Sequence, residues 1–173
     1  MDKTEARIRL AIDAMGSDLG PSEVLEGVAQ AIDRSPWNTE FVLFGQEEII
    51  EPLITSHSIL SRSKVEFVHS PEVVGMEEKP IAGIKGKKKS SMSLALQALK
   101  DGEADALLSC GNTGCLMAGG AIKLRTLDGV ERPALCTIWP GRERYFTLLD
   151  AGANPHAKPF HIAQSAVLGS NYA

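Results

Sequence analysis

The residues with most chemical promise lie in a polar turn, Ser109-Cys110-Gly111-Asn112-Thr113-Gly114, between the apolar run 104–108 and the small-residue run 116–124. A strand that empties into a glycine-flanked turn and then a helix presents the first N–H groups of that helix. They have no partner inside the helix, and glycine lets an anion approach them. Phosphate or carboxylate binding is one reading. The other is a plain connection whose Asn112 or Thr113 caps the helix. A second anion-friendly stretch is Lys85-Gly86-Lys87-Lys88-Lys89-Ser90-Ser91, with four lysines within five residues. It leads into a helix that Ser90 or Ser91 can cap, which suits an anionic group or an acidic partner; it also fits a solvated lysine loop. Asp13, Asp150 and Asn154 end apolar runs, where they either orient such donors or serve as caps.

These residues need elements to place them. Residues 8–13 read as a strand ending on a carboxylate. Pro21 suits a first helical position, and Val24, Leu25, Val28, Ala29 and Ile32 keep the 3.6 period of an amphipathic helix that Pro36 ends. Residues 40–45 and 64–69 read as further strands, with a shorter helix over 47–56 between them. Ser70–Pro80 is a connection punctuated by Pro71, Gly75 and Pro80. A helix is expected from about Met92 to Lys100, then a strand over 104–108 and a helix over 116–124. Two more strands (133–139 and 145–149) and a last helix from about Lys158-Pro159 to Tyr172 complete the chain. This alternation predicts an α/β fold, a mostly parallel sheet with helices on both faces, in one domain over residues 1–173. Such sheets bind ligands at the carboxyl ends of their strands, which is where Asp13, His69 and the 109–114 turn stand.

Composition narrows the class. The chain has 173 residues, 43% hydrophobic and 23% charged, with a formal net charge of −4. That balance is ordinary for a soluble globular protein and argues against nucleic-acid binding by the whole surface. No apolar run approaches the ~20 residues of a membrane helix, and Met1–Arg9 is mixed in charge, unlike a signal peptide. Three cysteines, at 110, 115 and 136, fit a reducing cytoplasm. Ile81 stands where a Walker A loop needs glycine, and Lys88 where it needs Ser or Thr; no strand leads into G-x-G-x-x-G. No nucleotide or other cofactor is expected. His156 and His161, five apart, lack the spacing of a helical metal pair, so no metal is expected either. Cys110 as a nucleophile needs a base, for which His69 is the one candidate; the alternative is a small packing residue.

Taken together, Asp13-Ala14-Met15-Gly16-Ser17-Asp18, Lys88-Lys89-Ser90-Ser91-Met92, Cys110-Gly111-Asn112-Thr113-Gly114 and Leu148-Leu149-Asp150-Ala151-Gly152-Ala153-Asn154 resemble the signature segments of the PlsX family. Residues 72–80 are similar as well. That family is the bacterial phosphate acyltransferase of phospholipid synthesis. The resemblance implies that inorganic phosphate attacks the thioester of an acyl–acyl carrier protein, giving acyl phosphate and free carrier protein. It further implies a fold similar to phosphotransacetylase and the isocitrate dehydrogenase type, a homodimer, and loose association with the inner membrane surface. Family members are considerably longer, and the resemblance runs over their N-terminal half. A fragment, a frameshifted product or a split protein is therefore expected, with an inactive remnant that binds phosphate or carrier protein as the alternative to an active enzyme.

The chemistry asks little of the protein. Phosphate is partly dianionic at neutral pH, and a thiol with a pKa of about 8.5 leaves without a strong acid. Position and charge stabilisation should then dominate. The expected catalytic set is Asp13, Asn112, Asp150 and Asn154; the expected phosphate contacts are Lys88, Lys89, Ser90, Ser91, Gly111, Thr113, Gly114 and Lys158. Ser17 stands where the family usually has a second glycine, so that turn is not expected to need a glycine-only angle. Gly83 and Gly86 are expected to weaken a segment that is more helix-friendly in relatives.

Overall fold

The computed structural model describes residues 7–35, 38–63 and 65–173, without the side chain of Arg62. The helix-ending Pro36, the first residue of the expected third strand, Lys64, and most of the mixed-charge N-terminus lie outside them. The chain divides into two compact units, Met1–Leu124 and Arg125–Ala173, each described by itself.

The first unit is built on four parallel strands, β1 (Ile8–Asp13), β2 (Thr39–Gly45), β3 (Val65–His69) and β4 (Ala106–Ser109), in the order β3-β2-β1-β4. The central strands are apolar at successive positions because both of their faces are covered. On one face, Ile12, Phe41 and Leu43 meet Leu25, Val28 and Ala29 of α1 (Pro21–Arg34) and Ile50 of α2 (Glu47–Ser56). The alternate residues Ala11, Val42 and Phe44 meet Ala95 and Ala98 of α4 (Ser91–Lys100) on the other. A third cluster joins Ile84 of α3 (Pro80–Gly86), Met92 and Leu96 of α4 and Cys115 of α5 (Thr113–Lys123).

Helix α3 is a feature that the basic, glycine-containing run did not announce. Pro80 takes its first position, where a missing N–H costs nothing. Gly83 is buried where a Cβ would stand 3.0 Å from Cys115 Sγ and 3.1 Å from a Glu78 carboxylate oxygen. Close packing on α5 thus outweighs the weak helix propensity of glycine. Helix α5 starts three residues before the apolar run, because Asn112 caps it. Ser17 has no positive φ, so this turn needs no second glycine.

The second unit consists of an antiparallel pair, β5 (Cys136–Pro140) and β6 (Tyr145–Leu149), followed by α6 (Pro159–Tyr172). Pro159 opens α6, and His161 closes its first turn by accepting the Lys158 N–H on Nδ1 at 3.1 Å.

Candidate functional site

The strand order places a topological switch between β1 and β4. The chain runs outward through β2 and β3 on one side, then returns to the other side of β1. Crevices at such points, beyond the carboxyl ends of the strands, are where open parallel sheets hold ligands. Here the last residues of β1 and β4, Asp13 and Ser109, lie side by side in register. Ser109 Oγ donates to Asp13 Oδ2 at 2.7 Å and accepts the Gly111 N–H at 3.1 Å; the Met15 N–H reaches Asp13 Oδ1 at 3.3 Å. Asp13 is 2% exposed. Its carboxylate therefore anchors the two turns that follow the strands.

Those turns touch backbone to backbone. A Cβ on Gly16 would lie 2.8 Å from Gly111 Cα and 2.8 Å from Asp13 Oδ2, and one on Gly111 would lie 3.0 Å from Gly16 Cα. Glycine is required at both positions by this approach alone. Gly114 brings the start of α5 equally close to Pro80, whose Cγ would be 2.8 Å from an added Cβ.

Asn112 is fully engaged within the chain. Its Oδ1 accepts the Cys115 N–H at 3.0 Å, which caps α5. Its Nδ2 faces the carbonyl oxygens of Gly75, Met76 and Glu78 at 3.2, 2.8 and 3.0 Å. The same loop is held by Glu78, whose carboxylate accepts from the Gly75 N–H and from Lys87 Nζ. Lys87 Nζ also donates to the Val73 carbonyl at 2.7 Å. The Gly75 N–H and the Lys87 ammonium hold the Glu78 carboxyl below its ordinary range.

The lysine and serine run separates accordingly. Lys87 is drawn inward, whereas Lys88 and Lys89 expose their side chains. Ser90 caps α4, donating to the Lys87 carbonyl at 2.8 Å and accepting the Ser93 N–H at 3.3 Å; both Ser90 and Ser91 are buried. The Lys89 N–H is taken by a Glu72 carboxylate oxygen at 2.8 Å. Thr113, at the start of α5, is exposed, and Gly111 and Gly114 flank it on the polar turn.

Two expectations about Cys110 are corrected. It is exposed, not packed, because it follows the edge strand β4 outside the buried clusters. His69 cannot serve as its base: β3 and β4 are the opposite edges of the sheet, three strand spacings or about 14 Å apart. His69 Nδ1 instead accepts the Glu47 N–H at the start of α2. The buried thiol is Cys115, which burial and the Glu78 carboxylate push up in pKa, away from thiolate chemistry.

In the second unit, Asp150 organises the 150–154 turn. Its oxygens accept the N–H groups of Leu135 (2.8 Å), Ala153 (3.2 Å) and Asn154 (2.7 Å) and the Asn154 side chain (2.9 Å). Burial pushes its pKa up, but these donors outweigh that and hold it below the ordinary range. Asn154 Nδ2 also reaches the Pro133 carbonyl at 2.9 Å. A cavity of about 180 Å³ opens beside them, lined in part by Arg132, Asp150, Asn154, His161 and Gln164. His161 is buried, with Nε2 2.8 Å from Glu131 Oε2, and Lys158 is exposed at the α6 cap. Among the described residues, no cluster of three His, Cys, Asp or Glu side chains could hold a metal ion.

Asp13 with Gly111 and the start of α5 are thus brought together in the first unit, and Asp150 with Asn154 in the second. Ser109, named in the sequence only as the first residue of the polar turn, is the hub residue that the expected catalytic and phosphate-contact sets left out. Its one signal was position, at the end of a strand feeding the polar turn.

The family model described as "Fatty acid synthesis protein" matches residues 8–173. Similar proteins include the phosphate acyltransferase of Levilactobacillus brevis, 39% identical over 170 residues (96% of this chain, 48% of that protein). That of Azorhizobium caulinodans is 44% identical over 166 residues (95% and 46%), and that of Listeria monocytogenes 41% over 167 residues (96% and 48%). The chain spans about half the length of the curated relatives it matches.

Proposed function

The chain belongs to the fatty acid synthesis protein family, and on that premise we propose that it serves a phosphate acyltransferase, moving an acyl group from acyl carrier protein to inorganic phosphate. The observation that carries this reading is the Asp13–Ser109–Gly111 hub at the switch point between β1 and β4. It holds two turns whose glycines, Gly16 and Gly111, meet backbone to backbone just before the start of α5.

In the proposed reaction, a phosphate oxygen bonds to the acyl carbon, the carbon–sulfur bond breaks, and the carrier thiolate leaves. The helix start at Thr113 and Gly114 offers N–H groups to phosphate, and exposed Lys88 and Lys89 add positive charge. Asp13 acts through Ser109 and Gly111, and Asn112 through the 75–78 loop; both are positioning residues in this scheme. Asp150 and Asn154 shape the 150–154 turn in the same way, with Lys158 as a further exposed cation. Homodimer formation, attachment to the inner membrane face and a cytoplasmic setting belong to the same proposal. Among the described residues, no helix is long and apolar enough to cross a membrane.

The test is acyl-phosphate formation from acyl–acyl carrier protein and phosphate, trapped as hydroxamate, with Thr113→Ala and Ser109→Ala for comparison. Activity that falls with both variants supports the reading; an active chain indifferent to both removes the site.

A second reading, non-catalytic binding of phosphate or carrier protein, is favoured by the engagement of Asp13, Asn112, Asp150 and Asn154 in hydrogen bonds within the chain. Saturable binding of either ligand without turnover would select it.

A further inference from the structure

The loop over residues 72–80 meets the starts of both α4 and α5, and it treats them differently. At α4 it fills the donors. The Glu72 carbonyl accepts the Ser91 N–H at 3.2 Å, a Glu72 carboxylate oxygen accepts the Lys89 N–H at 2.8 Å, and Ser90 Oγ takes the Ser93 N–H. At α5 it grips the residues on either side of Thr113 and leaves the threonine exposed. Asn112 Nδ2 faces the carbonyls of Gly75, Met76 and Glu78, and Pro80 packs so closely on Gly114 that an added Cβ would lie 2.8 Å from Pro80 Cγ. Asn112 Oδ1 takes the Cys115 N–H, whereas the N–H groups of Thr113 and Gly114 have no acceptor among the described residues. Three carbonyl oxygens gathered on one amide nitrogen repel one another, so the turn that presents them must be held. Glu78 holds it. Its carboxylate accepts the Gly75 N–H at 2.8 Å and its own N–H reaches the Gly75 carbonyl at 3.2 Å, which closes the 75–78 turn from both ends. Lys87 Nζ donates to the same carboxylate and to the Val73 carbonyl, and so ties the turn to the end of α3.

We infer that Glu78 is a positioning residue for phosphate at the start of α5: it acts through the 75–78 turn on Asn112, and through Asn112 on the N–H groups of Thr113 and Gly114. This rests on the acyltransferase reading above and adds to it a residue that does not touch the substrate. Charge and positioning predict opposite signs. A carboxylate near a bound phosphate opposes it, and its removal also frees the Lys87 ammonium, so charge alone would make Glu78→Ala bind phosphate more tightly. Positioning predicts weaker binding, because a released turn lets go of Asn112 and the helix-start N–H groups no longer converge on one anion. Glutamine separates the two further: its side-chain oxygen still accepts the Gly75 N–H while the charge is gone.

The experiment titrates inorganic phosphate, at constant ionic strength, into the isotope-labelled chain and follows the amide resonances of Thr113 and Gly114. Hydrogen exchange of the Cys115 amide is read in the same samples without phosphate. The expected result is a saturable shift of both amides in wild type. Glu78→Ala should weaken phosphate at least tenfold and speed Cys115 exchange at least tenfold, with exchange across β1 and β2 unchanged, which separates a released clamp from lost folding. Glu78→Gln should stay within threefold of wild type in both readouts. Two results would overturn the inference: phosphate bound as tightly or more tightly by Glu78→Ala, or equal affinities of Glu78→Ala and Glu78→Gln. Faster Cys115 exchange in Glu78→Ala, with no response of wild type to phosphate, keeps the positioning of α5 and counts against the acyltransferase reading. Phosphate binding by wild type that Glu78→Ala leaves intact does the reverse.

Discussion

Replacing Gly16 by alanine tests the hub most directly. Gly16 does not adopt a positive φ, so alanine is not strained by its own backbone angle. Its reduced freedom in the unfolded chain would stabilise the fold by about 0.4–1 kcal/mol. Against this, the new Cβ would stand 2.8 Å from Gly111 Cα, 2.9 Å from Gly111 N and 2.8 Å from Asp13 Oδ2. Two of those atoms are backbone and the third is tied to Ser109, so nothing flexible can yield. Forcing an extra carbon into such packing costs about 1–3 kcal/mol. The net expectation is a loss of about 1–2 kcal/mol, which a urea slope of about 2 kcal/mol/M turns into a midpoint lowered by about 0.5–1 M. Gly27 is the control. It lies exposed within α1 with nothing within 4 Å of an added Cβ, so Gly27→Ala should stabilise by about 0.5–1 kcal/mol. If Gly16→Ala matched Gly27→Ala, or left the midpoint unmoved, the backbone contact between the two turns would be refuted.

The other predictions concern the clamp and the lysines. Asn112→Ala should cost about 1–2 kcal/mol by removing the α5 cap and the Nδ2 hydrogen bonds to the Gly75, Met76 and Glu78 carbonyls. Asn112→Asp should cost at least as much, although Asp caps as well as Asn, because it turns a carboxylate on those oxygens; wild-type stability by urea unfolding would contradict the geometry. Glu78, held below its ordinary pKa of 4.5 by the Gly75 N–H and Lys87, contributes stability that is complete above the unfolded value and lost as pH falls through the folded one. The stability gap between wild type and Glu78→Gln should therefore shrink from pH 6 to pH 3, and a constant gap would rule this out. Lys88→Glu with Lys89→Glu should weaken low-salt binding of acyl carrier protein at least tenfold, more than Lys87→Ala, since Lys87 already serves the 73–78 loop. Equal affinities by titration calorimetry would remove the docking role of the exposed pair.

Local chemistry made much of this protein legible in advance. The helical period over 22–32, the apolar runs at 8–13 and 40–45, Pro at the starts of α1 and α6, and Ser90 and Asn112 as caps are all decided within a few residues of chain. Strand ends also identified where to look, since Asp13 and the 109–114 turn close their strands whatever the sheet order. The order itself was not legible. Asp13 and Ser109 are 96 residues apart, and only the placement of β4 beside β1 makes them partners. The same placement puts His69 on the far edge and ends its case as a base for Cys110. Helix α3 is likewise a tertiary outcome, because Gly83 is a poor helix former that α5 and Glu78 require to be small. Lys87 and Lys88 are neighbours of identical type, and their fates diverge because one lies within reach of Glu78 and the Val73 carbonyl. Residue type and spacing thus set the candidates, while packing across the sheet decided which of them anchor the fold and which stay free to meet a ligand.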